Sequence, residues 1–144
     1  HPEGIAGAVA IAAATSAAWM AGASGEPARR GAILEAAIDL TSPGAVRTGL
    51  ETAARLPAET TAEQAAALLG NGSQVTCPDT VPFCVWCADR HLDSYEEAIW
   101  SAVSALGDSD TNCAIVGSIV VMATGLEAIP HPWLAAREPL PALG

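Results

Sequence analysis

Two carboxylates one residue apart, Asp108 and Asp110, stand with Thr111 in the stretch GDSDTN, directly before a long run of small and apolar residues. Oxygen donors alone suit a hard cation. Mg²⁺ takes one or two carboxylates and fills its shell with waters or substrate oxygens. Gly107 lets the backbone turn tightly. A helix running from Thr111 to Gly125 would point its positive end at the loop, favouring the acids there or an anionic ligand such as a phosphate. The same six residues have a plainer reading. Asp110 or Thr111 is a good N-cap, and Asp108 is then a solvated loop residue. From these residues alone the plainer reading is favoured, because acidic caps are common.

Other chemistry-bearing residues are sparser. HPEG at the start places Pro2 in a first helical turn and Glu3 at the favourable end of its dipole, with His1 either idle or reaching into a site. GNGS (70–73) offers backbone N–H groups that could approach a phosphate, although such loops more often only turn the chain. The cysteines are Cys77, Cys84, Cys87 and Cys113. CVWC has the spacing of a redox pair or half a zinc site, but it lies in a helical pattern and no second CxxC answers it. Reduced thiols acting as small hydrophobes are the expectation. His91 and His131 have no partner at metal-ligand spacing. Trp86, Trp100 and Trp133 are expected in the core.

Helices must position these groups. Half of the 144 residues are hydrophobic, only 4% are aromatic and Ala is abundant, which favours close helix packing within one domain. The first helix is expected over 5–20. A second follows SGEP, with Pro27 near its start and Ile33, Leu34, Ala37 and Ile38 inward. A third carries Val46, Leu50 and Ala53 on one face and ends before Pro57. A fourth opens on the capping signature Thr60-x-x-Glu63 and stops at Gly70. A fifth has Asp79 or Thr80 as cap and Pro82 in its first turn. A sixth has a Ser94–Glu97 capping box and an apolar stripe of Tyr95, Ala98, Ile99, Ala102, Val103 and Leu106. AIPHPWL adds a short turn, and the Pro-rich tail after Leu134 is expected to be loose.

The net charge is −10, and all six basic residues are Arg. No basic footprint exists for nucleic acid, and an anionic membrane surface is disfavoured. The acid surplus suits cation binding. The Ala-rich stretch IAGAVAIAAATSAAWMAGA is just long enough to span a bilayer. It inserts weakly and lacks the basic flank of a signal peptide, so a buried helix and a cytoplasmic location are expected.

Taken in order, HPEGIAGAVAIA, GNGSQVTCPDTVPFCVWCADRH, YEEAIWSAVSALGDSDTNCAIVGSIV and GLEAIPHPWL resemble the later part of ADP-ribosylglycohydrolases, from His1 to about Leu134, with 24–69 generic. The resemblance implies an all-α, multi-helical bundle. It implies two Mg²⁺ ions and hydrolysis of the link between ADP-ribose and a protein side chain or related acceptor. By that likeness Asp108, Asp110 and Thr111 are the late metal ligands, Gly107 and Ser109 lie near substrate, and His1 lies on the ribose side. Family members often have Gly-Gly-Asp-Thr-Asp-Thr where this chain has Leu-Gly-Asp-Ser-Asp-Thr, which keeps every oxygen ligand. The family's early Thr-Asp-Asp motif does not occur here.

The chain therefore reads as a C-terminal portion over 1–144, with the N-terminal part of the family fold absent and the general base expected outside it. Two ions need roughly a dozen oxygen ligands, and this loop offers three side chains. The expected partners are an ADP-ribosylated protein or an ADP-ribose-containing small molecule, and a missing N-terminal half or a second copy. The competing expectation is a non-catalytic helical interaction module or inactive fragment that associates with a partner or itself. A zinc or redox protein ranks below both.

Overall fold

The computed structural model describes residues 1–25 and 29–139. Among them are eight α-helices, one 3₁₀ turn at Leu126–Ala128 and no strand. The helices are α1 (Pro2–Ser24), α2 (Ala32–Leu40), α3 (Ala45–Ala54), α4 (Ala62–Leu69), α5 (Cys77–Arg90), α6 (Tyr95–Ser104), α7 (Ser109–Thr124) and α8 (His131–Ala136). The all-α expectation holds.

Helix α5 is the central element. It touches α1, α2, α3, α4, α6 and α7, and every residue from Asp79 to Asp89 is buried. Its sequence explains this: VPFCVWCA carries no charge, so each face can leave water. The helix starts earlier than expected, with Thr76 at the cap and Pro78 in the first turn. Pro82 therefore lies inside the helix rather than in its first turn. It removes the bond that the Pro78 carbonyl would accept. Its ring rests against Gly49 of α3, where there is no side chain to displace it.

Helices α2 and α3 begin at glycines, Gly31 and Gly44, which have no side chain to cap with. Carboxylates from other helices take that role. Asp89 of α5 accepts from the Gly31 N–H at 2.7 Å and the Ile33 N–H at 3.3 Å. Glu3 of α1 accepts from the Ala45 and Val46 N–H groups, both at 2.9 Å. Glu3 thus serves the N-terminus of α3 as well as sitting in the first turn of its own helix. A Cβ at Gly44 would collide with its carboxylate. The Val46 and Ala45 bonds hold the Glu3 carboxyl below the usual glutamate range. A carboxyl with a depressed folded pKa adds stability above its unfolded pKa, about 4.3, and loses it as pH falls through the folded value. Glu3→Gln should therefore lower the melting temperature at pH 7 and flatten the acid limb below about pH 4.3. Thermal unfolding followed by circular dichroism from pH 7 to 2 would show this.

Several local expectations need correction. The fourth helix is capped by Thr61 with Gln64, one residue on from Thr60 and Glu63. Both bonds of the box form at that register. Ser94 accepts from the Glu97 N–H, which is half of the box expected there. Leu106 lies beyond α6, with φ +53° and 85% exposed, so the inward stripe ends before it. Trp86 is buried, but Trp100 is 54% exposed and meets Trp133 edge-on. Pro27 and the end of the Pro-rich tail, 140–144, fall outside the described residues.

Helix α1 runs to Ser24 and is long and apolar enough to cross a membrane by length and composition. It was expected to be buried, yet only one face is. Ala6, Ala10, Ala14 and Ala18 pack inward, while Ile5, Val9, Trp19 and Met20 face out. The cause is that both faces are apolar and its neighbours α2, α3, α5 and α7 leave one of them uncovered.

Candidate metal centre

The acidic loop joins α6 to α7. Helix α7 starts at Ser109, two residues before the expected Thr111, so Asp108 takes the cap position and Asp110 falls in the first turn. The plainer reading placed the cap at Asp110 or Thr111, and neither sits there. The Asp108 side chain makes no capping bond of standard geometry; it turns instead to its neighbours. Hydrogen bonds with the Asp110 and then the Thr111 side chains hold the Asp108 carboxyl below the usual aspartate range. Two carboxyl groups and a hydroxyl thus fall within four consecutive residues, 108–111, at the positive end of a 16-residue helix. Asp110 and Thr111 are exposed, and Asp108 is half-buried.

This knot opens on a cleft of about 360 Å³ lined by Gly4 and Gly7 of α1, Val75 and Thr76 before α5, and Asp108 and Thr111. Gly7 is needed here: a Cβ would stand 2.9 Å from the Cys77 side chain, so α1 and α5 could not approach. Val75 has φ +54°, an unfavourable conformation for a β-branched residue, and is 84% exposed at the cleft.

The loop 70–75 forms a wall behind the acids. Its shape is fixed by buried Asp79, which accepts from the Gln74 N–H at 2.8 Å and whose carbonyl accepts from the Gly72 N–H at 2.9 Å. The Asn71 carbonyl accepts from both the Asp108 N–H at 3.0 Å and the Asn112 Nδ2 at 2.8 Å. Gly72 has φ +87°, and a Cβ on it would lie 2.8 Å from that of Asp108. On the wall's far side is a second cleft of about 690 Å³ bordered by Leu69, Gly70, Asn71, Asp79 and Leu106.

The other expected site residues divide as follows. Gly107 faces the wall: a Cβ there would overlap the Asn71 carbonyl oxygen. Ser109 turns its N–H (2.8 Å) and hydroxyl (3.4 Å) to the Gly107 carbonyl. Both shape the loop's back rather than line the cleft with Asp108. His1 caps α1, its Nδ1 accepting from the Glu3 N–H at 3.3 Å, and is exposed. The cleft wall begins one turn later, at Gly4. Gly107→Ala should cost about 1–3 kcal/mol, because the Asn71 backbone can yield only by moving the wall. Urea unfolding would measure it.

Sequence reasoning overlooked Asn112, read Asp79 as a helix cap, and read Asn71 only as part of a flexible loop. A signal existed for Asn112: it is a polar residue at the head of an apolar helix, and such residues need buried partners. Cys84 and Cys87 are buried and all four thiols are free. Burial pushes Cys84 well up and Cys87 to about 12, so neither is poised as a thiolate. Among the described residues no group of three or more His, Cys, Asp and Glu could hold a metal. The acidic loop escapes that description because its third donor is a threonine. Its all-oxygen donors fit part of one Mg²⁺ shell, with water and substrate oxygens to complete it.

Comparison with curated proteins and with solved structures gives no match. The family model described as ADP-ribosylglycohydrolase matches residues 1–143. That match spans nearly the whole chain and agrees with an all-helical fold. The chain therefore belongs to the ADP-ribosylglycohydrolase family, whose chemistry is the hydrolysis of ADP-ribose linkages.

Proposed function

We propose that Asp108, Asp110 and Thr111 hold a Mg²⁺ ion at which ADP-ribose, carried by a protein side chain or a small molecule, is bound for hydrolysis. The observation that carries this reading is the placement of Asp108 and Thr111 in the lining of a cleft at the positive end of α7, with Asp110 between them in the first turn. Two carboxylates and a hydroxyl supply the hard oxygen donors that a divalent cation takes. When bound, the ion supplies Lewis-acid charge for ribose hydroxyls and a water. The Asn71–Gly72 wall fixes the Asp108 backbone beside the cleft.

A second reading has its own observation. The outward apolar face of α1, with Ile5, Val9, Trp19 and Met20, is suited to association with a partner or a second copy.

Calorimetry separates the two. Titration with Mg²⁺ and then ADP-ribose should show nucleotide binding that requires the metal. No binding of either to folded protein would reject the cation site and leave the association reading standing.

A further inference from the structure

We propose that Asn112 is a positioning residue for the cation site, acting as a clamp between α5, the 70–75 wall and the acidic loop. The inference rests on the Mg²⁺ reading above. Asn112 is completely buried at the head of α7, one residue beyond Thr111. Its amide is engaged at both ends. Nδ2 donates to the Asn71 carbonyl at 2.8 Å, and Oδ1 accepts from the buried Cys84 thiol at 3.4 Å. The same Asn71 carbonyl accepts the Asp108 N–H. Thus one oxygen fixes both the acid and the helix turn that follows it. An amide, with a donor at one end and an acceptor at the other, satisfies the carbonyl and the thiol S–H together.

The Asn71 carbonyl, which can only accept, sets the direction of the amide, and the Cys84 thiol then donates to the oxygen. If Oδ1 and Nδ2 exchanged places, Oδ1 would face the Asn71 carbonyl, with two acceptors opposed. Gly72 completes the clamp, since its missing Cβ lets the wall lie against Asp108 and Asn112. None of these groups touches the proposed ion. They act by holding the Asp108 backbone still, and outer-shell partners of this kind change metal affinity by about 10–100-fold.

The test compares wild type with Asn112→Ala, Cys84→Ala and Cys84→Ser. Mg²⁺ affinity is read by calorimetry, and exchange of the Asp108 amide by hydrogen–deuterium NMR without metal. Asn112→Ala should weaken Mg²⁺ at least tenfold and speed Asp108 exchange by a similar factor. Cys84→Ala should show a smaller loss of both. Cys84→Ser, which keeps a donor, should stay within about twofold of wild type. If Asn112→Ala does not fold, the Cys84 pair decides by the same readouts.

Unchanged affinity and unchanged exchange in a folded Asn112→Ala protein would overturn the clamp while leaving the Mg²⁺ reading intact. Wild type that binds no Mg²⁺, with faster Asp108 exchange in the variant, would reject the ion and keep the clamp. Wild type that binds no Mg²⁺, together with unchanged Asp108 exchange in the variant, would reject both.

Discussion

Asp108→Ala combined with Asp110→Ala should lower Mg²⁺ affinity at least about a hundredfold and abolish metal-dependent ADP-ribose binding. Changes to outer-shell partners already cost about 10–100-fold, and this pair removes both charged ligands. The helices should survive. Asp108 makes no standard capping bond to α7, and Asp110 and Thr111 are exposed. The chain carries a net charge of −10, so any lost acid weakens cation attraction a little. Asp39→Ala with Asp93→Ala removes the same charge from exposed positions on other elements and serves as the control. Calorimetry in 0.15 M salt would show a large loss for the first pair and a change of less than about threefold for the second. Equal effects in both pairs would mean that the acidic loop has no special claim on the ion.

The helices were legible because their inward faces obey a simple period. Val46, Leu50 and Ala53, expected on one face of the third helix, are all buried. The stop at Gly70 was legible for a similar reason: its φ of +94° suits glycine. Element starts were harder to read. Gly31 and Gly44 carry no capping side chain, and their partners Asp89 and Glu3 lie 58 and at least 41 positions away along the chain. No local signature encodes such a bond. Asp79 was mistaken for a cap of its own helix because Asp is a common cap; its carboxylate instead braces the preceding loop. The acidic loop itself was visible as two acids, a threonine and a glycine. Its wall was not, because Asn71 and Asn112 meet only after α5 and α7 have packed. The full burial expected for α1 also failed on long-range grounds, since a helix apolar on both faces does not specify which face is covered.

Asp89→Ala should destabilise the fold by about 2–4 kcal/mol. The carboxylate is only 8% exposed and accepts from two N–H groups at the start of α2. Removing it strands those donors where water has little access, at about 1–3 kcal/mol each. For a chain of this length that corresponds to a fall of about 10 °C in Tm. Asp89→Asn keeps one acceptor but turns an NH₂ toward the other N–H, so it should recover part of the loss. The pH profile adds a second signature. Burial, outweighing the N–H bonds from the start of α2, raises the Asp89 carboxyl above the usual aspartate range. A carboxyl that is more basic in the folded state binds more protons there. Its contribution is therefore greatest below the unfolded pKa, about 3.9, and declines as pH rises through the folded value. This is the reverse of Glu3. The stability gap between wild type and Asp89→Asn should narrow as pH rises from about 3.9 toward neutrality. Urea unfolding at several pH values would measure it. A gap that widened with pH would show instead that the N–H bonds outweigh burial, making Asp89 an ordinary charged cap.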